Sequence, residues 1–95
     1  MAAVRLSDVV LGLECFDQED TIYASEPWTA DSEAIVAREP VTGGLPPDAE
    51  RHGLKYFLEV AIAHDFVDAW NTELEEPPNL LERCGRLIEY AKNDA

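Results

Sequence analysis

The 95-residue sequence predicts a single α+β domain in the order helix, three strands, two helices, with all three helices packed on a small three-stranded antiparallel sheet. Three observations predict it. Leu6, Val9, Val10 and Leu13 recur at helical spacing near the N-terminus; three short β-prone runs follow, punctuated by proline and glycine; and the residues after Ala61 return to helical periodicity in two stretches.

The first helix is predicted over residues 8–14. Ser7 stands ahead of it as N-cap, Asp8 suits the positive end of the helix dipole, and Leu6 is placed to staple against Leu11. The polar run Asp17-Gln18-Glu19-Asp20 reads as a loop. Thr21–Ala24 and Glu33–Arg38 read as neighbouring strands joined by an eight-residue connection containing Pro27 and Trp28. Residues 39–53 hold three prolines and three glycines and read as a long connection, with one helical turn at Asp48–His52 closed by Gly53. Tyr56, Leu58, Val60 and Ile62 alternate with Lys55, Phe57, Glu59 and Ala61, which predicts a third strand. From Ile62 onward Ala63, Phe66, Val67, Ala69, Trp70 and Leu74 share one half of a helical wheel. Glu75-Glu76-Pro77-Pro78 ends that helix, and Asn79 with Glu82 forms a cap and N3 pair for the next. The last helix carries the stripe Leu80, Leu81, Cys84, Leu87, Ile88 and Ala91, with Arg86 and Lys92 complementing its C-terminal dipole and Glu82–Arg86 as an i,i+4 pair.

Composition bounds the function. Twenty acidic side chains against seven basic ones give a formal net charge of -13. Such a surface repels nucleic-acid phosphates and anionic lipid, so the expected partner is a basic protein, with no direct nucleic-acid binding and no membrane association. With 46% apolar residues the chain has the material for a core, and the acidity does not imply disorder. No uninterrupted apolar run serves as a signal peptide or spanning helix, which predicts a cytoplasmic location. Cys15 and Cys84 are too few for a disulfide framework and too far apart for a metal motif; they read as reduced, packed thiols.

The acids are unevenly placed. Eight fall between Arg5 and Arg38 and seven between Lys55 and Arg83, with no lysine or arginine inside either tract. Side by side in the fold, the tracts would form one negative face; apart, they would act as solubilising charge. A lysine-poor, acid-rich chain is also what a high-salt cytoplasm favours. The candidate surface for a partner is Glu26, Trp28, Asp31, Glu33, Asp65, Asp68 and Glu75. Trp28 has two readings: an aromatic anchor ringed by carboxylates that steer a basic partner, or a ring folded back to complete a thin core.

The chemical motifs are sparse. His64 and Asp68 at i,i+4 face one side of a helix, where a carboxylate can orient an imidazole, but no third partner is visible in the sequence and an exposed solvated pair is the simpler reading. No His-x-x-x-His, Cys-x-x-Cys or calcium-loop spacing is present, so neither a metal nor a cofactor is expected. Gly43-Gly44 precedes Leu45-Pro46 and is a turn, not a phosphate loop.

The strings Glu26–Val36 (EPWTADSEAIV), Tyr56–Val60 (YFLEV) and Leu87–Ala95 (LIEYAKNDA) resemble a family of small, functionally uncharacterised bacterial and phage-associated α+β domains. The resemblance spans nearly the whole chain, implies a prokaryotic cytoplasmic setting, and brings no catalytic residues with it. More loosely, size and charge are similar to those of immunity proteins that neutralise cationic nuclease toxins. Three expectations follow: a non-catalytic binding domain that covers a basic partner, a DNA mimic built on the acids of the late helices, and a small enzyme using His64 and Asp68, ranked in that order.

Overall fold

The architecture comes from a computed structural model, which describes residues 3–73 and 79–94. In chain order the elements are β1 (Val4–Arg5), α1 (Leu6–Leu11), a 3-10 turn (Leu13–Cys15), β2 (Thr21–Ala24), β3 (Glu33–Ala37), α2 (Pro47–Arg51), β4 (Lys55–Glu59), α3 (Val60–Glu73) and α4 (Leu80–Asp94). The α+β class stands. Its sheet has four strands, not three, in the order β1-β3-β2-β4 with every pairing antiparallel.

The additional strand is β1. Val4 and Arg5 pair with Ala34 and Glu33, and the chain then turns directly into α1, with Leu6 and Ser7 still donating their N–H groups to Ser32 and Ala30 at 2.8 and 2.9 Å. Two residues carry no readable alternation. The same geometry starts α1 earlier than the Ser7 cap predicts: Arg5 is the N-cap, and its N–H is accepted by the Asp8 carboxylate at 3.3 Å. Leu6 is driven wholly into the core while Leu11 is 57% exposed, so the predicted staple between them does not form. Gly12 ends the helix, and the 3-10 turn brings Leu13 back to the core.

The third predicted strand also ends sooner. Ile22 pairs with Leu58 but Tyr23 pairs with Tyr56, so the register shifts and Phe57 is the extra residue of a β-bulge. That turns Phe57 and Leu58 into the same core and breaks the strict alternation expected through Ile62. Val60 begins α3, its N–H held by the carbonyl of Asp20 at 3.0 Å.

Both faces of the sheet are covered. On one, Ile22, Ala24, Ala34, Val36, Phe57 and Leu58 pack under α1, α3 and α4, which contribute Leu6, Val9, Val10, Ala63, Val67, Cys84, Leu87 and Ala91. On the other, Tyr23 and Ile35 pack against Ala49 and Leu54 from the 39–54 connection, whose predicted helical turn is α2, followed by Gly53 at φ 69°. This second layer is an addition to the predicted plan, and it explains why all four residues of β2 are buried. Each fully buried Leu or Ile contributes about 1.5–3 kcal/mol relative to exposure. α4 packs chiefly on α1. Its start carries the predicted Asn79–Glu82 pair: Asn79 Oδ1 accepts the Glu82 N–H at 2.8 Å, and Asn79 Nδ2 donates to Glu82 Oε1 at 2.9 Å. The Glu75-to-Pro78 helix end lies outside the described residues.

Candidate interaction surface

The β2–β3 connection is held by its own short side chains. Ser25 pairs with Glu33 through both backbone and hydroxyl, with the Glu33 N–H donated to Ser25 Oγ at 3.1 Å. Ser32 Oγ accepts the Thr29 N–H at 2.8 Å and donates to the carbonyl of Pro27 at 3.3 Å, while Thr29 Oγ1 accepts the Asp31 N–H at 3.2 Å. The Glu26–Pro27 peptide is cis. Out of this frame Trp28 folds back over β4. Its indole N–H donates to the Ala24 carbonyl at 3.2 Å, and its ring meets Phe57 edge-on with centroids 5.0 Å apart. The ring is half-buried against the helix-side core, so of its two readings the structure favours core completion.

Glu26, Asp31 and Glu33 remain exposed around that loop. Two of them are met by bases from outside the tract: Arg5 Nη1 lies 4.0 Å from Asp31, and His52 Nδ1 lies 3.7 Å from Glu33. Arg38 does the same for the Asp17–Asp20 loop. Its Nε is 3.0 Å from Asp20, Nη1 3.2 Å from Glu19 and Nη2 3.4 Å from Asp17. The hydrogen bond to Asp20, joined by the charges of Asp20, Glu19 and Asp17, pushes the guanidinium further above its usual range. The first tract is therefore base-free in sequence and partly neutralised in space. The β2–β3 register accounts for it, since Ala37 opposite Thr21 sets Arg38 beside the preceding loop.

On α3, Asp65 and Asp68 are exposed and His64 is half-buried; Glu75 lies outside the described residues. His64 and Asp68 line a crevice of about 100 Å³ together with Val10, Leu13, Glu14, Val67 and Arg83. The two acidic tracts thus meet through Glu14 and Asp68, while Asp31 and Glu33 face Arg5 and His52. Neither Glu14 nor Arg83 stands out in the sequence as a partner for this pair. Arg83 Nε is buried there without a hydrogen-bond partner among the described residues. At about 30 Å³ per water the space holds about three waters, against the roughly 300–1,000 Å³ typical of small-molecule sites. It can hydrate Arg83; it does not enclose a substrate.

Cys84 is buried on the core face of α4, where burial pushes its thiol up and the charge of Arg83 pulls the other way; Cys15 is exposed. Among the described residues, no group of three His, Cys, Asp or Glu side chains is placed to hold a metal, and no helix is long and apolar enough to cross a membrane. No family model, no curated protein and no solved structure matches the chain.

Proposed function

We propose that this chain is a non-catalytic acidic binding domain that docks onto a basic protein, in its sharpest form an inhibitor that covers the substrate groove of a nuclease or similar toxin. The observation that carries this reading is the exposure of Glu26, Asp31, Glu33, Asp65 and Asp68 on a body of net charge -13. Exposed carboxylates of one sign raise the encounter rate with a cationic face and supply charge-assisted bonds to its Arg and Lys side chains. In this reading Trp28 braces the acidic loop from below and the acids do the recognising. On this reading the encounter takes place in a prokaryotic cytoplasm, the setting that the resemblance to small bacterial and phage-associated domains implies. The small volume beside His64 and Asp68 weighs against the enzyme reading.

The test is affinity capture from the native host at low and at high salt, with the captured proteins identified. A basic partner retained at low salt, released at high salt and lost by a variant carrying Glu26→Gln, Asp31→Asn, Glu33→Gln, Asp65→Asn and Asp68→Asn supports the reading. Recovery of no basic partner by the wild-type chain overturns it.

A further inference from the structure

We infer that the open groove between α3 and α4 is the docking site for an amphipathic helix of a basic protein, seated across Gly85. The inference rests on the reading of the chain as a binder of basic proteins and narrows it to one surface and one kind of ligand.

Gly85 is the starting point. It lies inside α4, is exposed, and is not among the glycines with positive φ. A Cβ placed on it would meet no atom of the described residues within 4 Å. Among the described residues nothing in the packing or backbone therefore calls for glycine, at an interior helix position where only proline is less favourable. A bare backbone at that point does leave room for the close approach of another chain.

The surroundings fit such an approach. Gly85 lines a groove of about 500 Å³ with Trp70, Glu82, Arg86 and Glu89, and the groove continues past Arg86 and Glu89 into a hollow of about 320 Å³ bounded by Phe66, Tyr90 and Asn93. The floor is aromatic: Trp70 is half-buried, and the Phe66 and Tyr90 rings meet at a tilt of 43° with centroids 4.9 Å apart. Glu82 and Glu89 flank Gly85 at i-3 and i+4. Arg86, the cation of this lining, is already stacked 5.2 Å over the Trp70 ring. An apolar trough between two helices, with a gap at its lip and carboxylates on either side, matches a helix that presents apolar anchors at i, i+3, i+4 and i+7. The surplus of negative charge over the whole chain selects lysine and arginine on that helix's flanks.

The probe is a helical peptide of leucine and lysine in amphipathic order, compared with a scrambled peptide of the same composition, each titrated calorimetrically into the full chain at low salt. The expected result is that the amphipathic peptide binds about tenfold more tightly than the scrambled one. Gly85→Gln, which adds a good helix former and fills the lip, should raise the melting temperature and abolish that tenfold excess. If the amphipathic excess survives Gly85→Gln, or if both peptides bind alike, the groove is wrong while charge-driven binding stands. If neither peptide binds, both the groove and the wider reading fail.

Discussion

Tyr23 is buried to 1% exposure between the sheet and the α2 connection, yet its phenol oxygen has no hydrogen-bond partner among the described residues. A hydroxyl stranded in this way costs about 1–3 kcal/mol of desolvation, whereas a ring of the same shape without it costs nothing of the kind. Tyr23→Phe is therefore expected to be neutral or stabilising by up to about 1 kcal/mol in denaturant unfolding, with the edge-on contact to Tyr56 retained. A loss of stability would show that a partner outside the described residues, such as a water, satisfies the phenol. Burial, then the charge of Glu39, raises the Tyr23 pKa above its ordinary 10.0, while the Thr21 hydroxyl, near enough to favour the phenolate but outside hydrogen-bonding geometry, acts the other way; burial raises Cys84 above 9.0. Both groups are neutral when protonated and the fold keeps them so. Their contribution is complete below the ordinary values and is lost as pH rises through the raised ones, where the unfolded chain releases protons that the folded chain retains. Melting temperature measured from about pH 8 to about pH 11 should fall, and fall less steeply in Tyr23→Phe. Trp28 shows what the sequence hid at this scale. Its carboxylate neighbours were legible; the Phe57 ring beneath it was not, because a bulge in a strand 29 positions away turns Phe57 towards it.

Elements whose signals are local were the legible ones. α4 has its stripe, its cap and its dipole complement within 15 residues, and Leu80, Cys84, Leu87, Ile88 and Ala91 all face the core as the periodicity predicts; Leu81 alone of the stripe stands out in solvent. The illegible features depend on distant strands. β1 exists only because β3 has a free edge to take it, and the end of β4 at Glu59 is set by register against β2 and by the carbonyl of Asp20 on Val60. The same locality makes the α4 cap testable. Asn79→Ala removes the acceptor for the Glu82 N–H and the donor to its carboxylate, which should cost about 1 kcal/mol of unfolding free energy, while Asn79→Asp or Asn79→Ser restores most of the loss. Equal stability of all four proteins would mean that the first turn of α4 is frayed in solution.

At the scale of the whole molecule the charge acts on the fold and on binding with opposite signs under salt. The acids outnumber the bases by thirteen on a small body and repel one another, and Arg38 and Arg5 relieve part of that repulsion around the first tract. Sodium chloride shortens the Debye length from about 10 Å at 0.1 M to about 3 Å at 1 M, so it should weaken the self-repulsion and raise the melting temperature across that range. Chloride is the right choice of anion, because sulfate strengthens apolar burial independently of charge. Association with a basic partner is driven by the same field and should slow steeply over the same range. The sequence could show the surplus but not its distribution in space: Glu14 and Asp68 share a crevice only because α3 packs beside the 3-10 turn. Measuring melting temperature and peptide on-rate in one salt series separates two origins of the acidity. A surface shaped for recognition gives a fold that gains modestly and an on-rate that collapses. A surface shaped for a saline environment gives a fold that needs molar salt to reach full stability and an on-rate to the leucine–lysine peptide that shows no preference for amphipathic order.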